Sequence, residues 1–124
     1  MLYSLKSESF MAHVPHRNNY DIWRSRLSDA EFSAVYDELN ARVEGSNIET
    51  SSWIPGSDWD GTVFQPILEV ACLNDADAAG RFFGLILWNV LLDHDHVWAF
   101  DRYEKDGVPI RGMTYFRLDN PPPP

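Results

Sequence analysis

The sequence predicts a single α+β domain, a small antiparallel sheet packed on three to four helices, and three observations lead there. Apolar residues recur at helical spacing between residues 28 and 44, a nearly all-apolar stretch follows at 78 to 92, and beyond residue 97 the period changes from 3.6 to 2. A chain of 124 residues is one ordinary domain with no room for a second core, so large enzyme scaffolds are excluded. We read residues 1 to 120 as that domain and 121 to 124, four prolines, as a polyproline II tail.

The first element is the least regular. Tyr20, Ile22, Trp23 and Leu27 suggest a short helix, and Pro15 keeps His13 to His16 extended before it. From Ser28 to Glu44 the stripe Phe32, Val35, Tyr36, Leu39 and Val43 marks an amphipathic helix. Ser28 with Glu31 three residues on is a capping box, and Gly45 can supply a left-handed stop. Alternation over Asn47 to Ile54 predicts a strand, which Pro55, Gly56 and Ser57 end. Thr62 with Gln65 is a second capping-box candidate, and Pro66 is acceptable only near a helix start, so a helix should begin between Thr62 and Pro66 and run to about Leu73.

Asn74 to Asp77 then breaks that helix and offers the cap of the next, about Ala78 to Leu92, whose single charge, Arg81, predicts burial on nearly every face. Ala76, Gly80 and Gly84, four apart, suggest a face kept small for a close backbone neighbour. Two β-rich runs, Val97 to Glu104 and Val108 to Leu118, flank Lys105-Asp106-Gly107 as a hairpin. Trp98 and Phe100 are expected on one face, with Thr114, Phe116 and Leu118 as their counterparts against the central helix, and Asp101 and Arg117 outward.

Charge narrows the function classes. Ten Lys plus Arg face 19 Asp plus Glu, a formal charge of -9. Residues 28 to 60 carry -7 of it, while 1 to 27 carry +2. Such a field repels phosphates, so nucleic acid is a poor partner. No apolar run reaches the roughly 20 residues of a membrane span, and Met1 to Phe10 lacks a signal-peptide core. The single cysteine, Cys72, sits among Val70, Ala71 and Leu73 as an inert buried thiol suited to a reducing compartment, which makes the cytoplasm the expected location.

The most conspicuous motif is Asp58-Trp59-Asp60-Gly61-Thr62. It resembles the nucleophile motif of the haloacid dehalogenase-like phosphatases, which implies a nucleophilic first Asp, an acid-base second Asp and magnesium. In that family the motif closes a buried apolar strand near the start of a larger α/β domain. Here Trp53 to Ser57 precedes it, and the 62 residues after Thr62 offer a hairpin in place of further strands. A turn leading into a helix N-terminus, with Thr62 as cap and both carboxylates near the helix dipole, is the reading the context favours.

His94 and His96, in Asp93-His-Asp-His96, could face one side of an extended segment as two zinc ligands, but histidines at a helix end more often complement the dipole. No catalytic residue, metal or cofactor is therefore assigned. Trp53 and Trp59 flank the Pro-Gly loop beside Asp58 and Asp60, and with Tyr115 they make our expected binding surface for a basic protein or a cationic small molecule. The leading expectation is a non-catalytic acidic binding protein, with a homodimer assembled through the apolar helix. The alternative is a small metal-dependent hydrolase using Asp58, Asp60, His94 and His96.

Overall fold

The computed structural model describes residues 1–46, 48–50, 59–101, 104–105, 108–109 and 114–123, with 48–50, 104–105 and 108–109 described by backbone alone. The α+β class is observed, with one correction: the sheet is mixed. Its five strands run β2 (Ser9–Phe10), β1 (Leu2–Ser4), β4 (Trp98–Asp101), β7 (Thr114–Arg117) and β3 (Ile48–Thr50) across the sheet. All neighbours are antiparallel except β1, which lies parallel to β4 with Leu2 opposite Trp98 and Ser4 opposite Phe100. The strand expected over 47–54 is present as β3, and its continuation beyond Thr50 lies outside the described residues.

Helix α1 (Arg17–Arg26) follows β2, and Leu27 closes it in extended conformation. Helix α2 (Asp29–Glu44) carries the capping box as predicted: the Glu31 amide donates to Ser28 Oγ at 3.0 Å, and the Ser28 amide to Glu31 Oε1 at 2.9 Å. Its stop differs from expectation, since Gly45 has φ -92°, so no left-handed residue ends the helix. Val35, Leu39 and Val43 form its buried stripe.

At Thr62 the reciprocal cap is displaced by one residue. Gln65 Oε1 accepts from the Gly61 amide at 3.1 Å, and Gly61, at φ +73°, takes the left-handed turn that makes this reach possible. The helix expected to begin between Thr62 and Pro66 is present from Gln65; over Ile67–Ala71 it is π-helical, with the Cys72 amide donating to the Ile67 carbonyl at 3.1 Å, and it ends two residues before Leu73. Arg26 Nη1 donates to the Ala71 carbonyl at its end, at 2.7 Å, and so ties α1 to this segment. Helix α3 (Ala76–Asp93) starts two residues earlier than predicted, because Asp75 Oδ1 accepts from both Asp77 N and Ala78 N at 3.1 Å.

As expected, α3 is the centre of the molecule. Phe82, Ile86, Leu87, Val90 and Leu91 are all within 2% of complete burial. At Gly80 the small-residue face has no close backbone neighbour: a Cβ built there meets nothing within 4 Å. The hairpin is present as two paired segments, β4 with β7 and, as a separate two-stranded sheet, β5 (Glu104–Lys105) with β6 (Val108–Pro109), offset by two residues from the β4–β7 register. Its register corrects the facing assignment. Lys105 pairs with Val108, which leaves a two-residue connection, and Phe100 pairs with Tyr115. Tyr115 therefore faces α3 beside Phe100, both against Trp88, while Phe116 lies with Ala99 on the opposite face. Among the described residues no helix is long and apolar enough to cross a membrane.

Candidate functional site

The residues expected to bind are split between core and surface. Trp59 is buried and packs edge-on against Phe83 of α3, with ring centroids 6.3 Å apart; Phe64 approaches the same ring at 5.4 Å. Tyr115 is 2% exposed, and burial pushes its hydroxyl above the ordinary tyrosine range. Both rings thus spend their area on packing. Asp60 is exposed at the turn before Gly61, and Trp53 and Asp58 lie outside the described residues. Trp59 docks at Phe83, ten residues before the end of α3, so about 15 Å of helix separates that contact from the histidines. Asp60 and the His94–His96 pair are accordingly at different places on the molecule.

A second acidic region, which the motif search passed over, surrounds the C-terminal end of α3. Tyr36 of α2 donates its hydroxyl to Asp93 Oδ2 at 2.9 Å. Burial, with help from that bond and from the charges of Asp93 and Asp37, pushes the phenol up to about 12. Glu44, the last residue of α2, places Oε1 2.9 Å from His94 Nε2. The angle there is outside hydrogen-bond geometry, so this is a close polar contact and not a directed bond. Four carboxylates, Asp37, Glu44, Asp93 and Asp95, thus gather where the helix dipole is also negative.

The junction beneath them is held from both sides. His94 is the C-cap of α3 and is buried; its Nδ1 accepts the His96 amide at 3.1 Å, which leaves the ring proton on Nε2 facing Glu44. The Met1 ammonium donates to the carbonyls of Leu91, His94 and His96. Burial lowers its pKa from the ordinary value, against the opposing pull of Asp93 and Asp95. His96 is exposed, and Arg117 Nη2 lies 2.9 Å and 3.1 Å from its two ring nitrogens. With one nitrogen of His94 bonded to backbone and the other protonated, this ring offers a metal no lone pair. Among the described residues no group of three or more His, Cys, Asp or Glu is arranged to hold a metal ion.

Comparison with family models, with curated proteins and with solved structures finds no match for this chain.

Proposed function

We propose that this protein is a non-catalytic acidic binding protein and that the end of α3, framed by Asp37, Glu44, Asp93 and Asp95, engages a basic or cationic partner. The observation that supports this reading is the unequal use of charge. The arginines Arg17, Arg24, Arg42 and Arg81 are paired with Asp21, Asp29, Glu38 and Asp77 within the chain. Asp37 and Asp95 make no ion pair among the described residues, and the single Met1 ammonium that Asp93 and Asp95 attract is outnumbered by the carboxylates at this end. An acidic patch of this kind raises the local concentration of a cationic partner and speeds its arrival. The buried thiol of Cys72 suits work in a reducing compartment such as the cytoplasm.

A fluorescein-labelled decalysine peptide tests the reading by anisotropy. We expect saturable binding that weakens as salt rises, and that the triple variant Asp37→Asn, Asp93→Asn, Asp95→Asn weakens several-fold. A control with the same change in net charge, Glu8→Gln, Glu69→Gln, Asp119→Asn, should bind almost as tightly as the parent. Equal losses in the two triple variants would reduce the effect to overall charge and remove the site.

A further inference from the structure

Among the described residues, the prolines that follow β7 are an exposed run that neither the core nor the acidic site uses. We propose that Asn120 to Pro123 is a docking segment for a partner protein that reads polyproline II helices through an aromatic-lined groove. The inference is independent of the acidic end of α3 and goes beyond it.

The conformation is dictated locally. Asn120, Pro121, Pro122 and Pro123 each precede a proline, whose ring disfavours the α region in the residue before it. The prolines also have φ locked near -65°. Extended backbone is what remains, so little entropy is lost when the segment is bound. At about 3.1 Å per residue, the four residues Asn120 to Pro123 span roughly 12 Å, slightly more than one turn. That length presents two ridges on one side, the pattern a row of aromatic rings can grip.

The structure leaves the segment available. Pro121 and Pro123 are exposed and Pro122 half-buried, and residues 119–123 are in no helix or strand. Among the described residues, 119–123 make no hydrogen bond, so the carbonyls of this run are open to a donor such as an indole N–H. The root is fixed: Leu118 donates its amide to the Val97 carbonyl at 3.0 Å, at the end of the β4–β7 pair. A conformationally restricted segment therefore follows a fixed part of the sheet, with Pro121 and Pro123 on the surface. Asp119 stands at its base in a chain of charge -9, so the complementary groove carries Lys or Arg at its rim.

The experiment titrates the full chain into two isotope-labelled modules of this type, a WW domain and an SH3 domain, and follows the amide and indole resonances of their grooves. The expected result is saturable shifts confined to the aromatic groove of at least one module. They should weaken about tenfold or more, on the order of 1.4 kcal/mol, in the double variant Pro122→Ala, Pro123→Ala. Because these prolines lie outside the core, that variant should melt with the parent, which separates lost docking from lost folding. The proposal is overturned if neither groove responds at millimolar protein, or if the double variant binds as tightly as the parent.

Discussion

Replacing Gly80 by alanine should stabilise the protein. Gly80 is the fifth residue of α3, well inside the helix, where glycine is less favourable than alanine by about 0.8–1 kcal/mol because it loses more backbone freedom on folding. What decides the sign is space, and the added Cβ meets nothing within 4 Å. The gain is therefore the full propensity difference with no steric deduction. Unfolding entropy near 2.1 cal/mol/K per residue, over this chain of 124, makes 1 kcal/mol about 4 °C, so the melting temperature should rise by roughly 3–4 °C. Thermal melts followed by circular dichroism, with urea titrations at unchanged slope, measure it. A fall in stability would refute the reasoning, because it would require a neighbour against Gly80 that the single chain does not show. A homodimer packed through this stripe of α3 is one such neighbour, and we propose that assembly be read from the same pair of proteins. Light scattering at tens of micromolar would then show the alanine variant dissociating while the parent stays dimeric.

Three further outcomes follow from buried groups. If Trp59 belongs to the core, Trp59→Ala should cost about 3–5 kcal/mol, and a double-mutant cycle of Trp59→Leu with Phe83→Leu should give about 0.5–1.5 kcal/mol of coupling; coupling near zero in chemical denaturation would return Trp59 to the surface. Burial raises the Cys72 thiol to about 11, so at pH 8 the native protein should react with iodoacetamide at least about a hundredfold more slowly than the urea-unfolded chain, and equal rates would contradict its burial. Tyr36, raised to about 12 in the folded protein, keeps a proton that an unfolded tyrosine loses near 10. Its contribution to stability is thus complete below pH 10 and lost between about pH 10 and 12, and Tyr36→Phe should remove that part of the alkaline slope in stability measured against pH.

What was legible in the sequence was local. The Ser28–Glu31 box binds partners three residues apart, and the apolar stripe of α2 needs nothing beyond its own periodicity. Helix α3 announced its burial through composition alone. Strand β1 could not be read in this way, because Leu2–Ser4 is too short for alternation to register and exists through pairing with β4, some 96 positions away. Ser4 is buried for the same reason: it lies beside Phe100 under α3, although nothing around it in the chain calls for burial. Parallel pairing depends on the whole intervening chain returning to one place, and no local pattern encodes that.

The hairpin makes the same point with one residue. A connection of three residues, Lys105 to Gly107, would pair Glu104 with Val108 and set even-numbered residues of the first strand beside even-numbered ones of the second. That arrangement gives Thr114 and Phe116 to the core. A connection of two pairs Lys105 with Val108 and sets even beside odd, and the β4–β7 pair, shifted by two residues from that register, keeps the same parity with Phe100 opposite Tyr115. Because successive side chains alternate faces, this single step exchanges the entire buried set of β7. Asp-Gly favours the two-residue turn, so the information was present at the turn. The acidic end of α3 is a different case. Asp37 and Glu44 lie on one helix, Asp93 and Asp95 at the end of another, and only the packing of α2 across α3 makes them neighbours. A motif search along the chain is drawn to Asp58 and Asp60, whose spacing is conspicuous. Carboxylates that converge through tertiary structure have no spacing to notice, and their prominence follows from which arginines the fold has already engaged elsewhere.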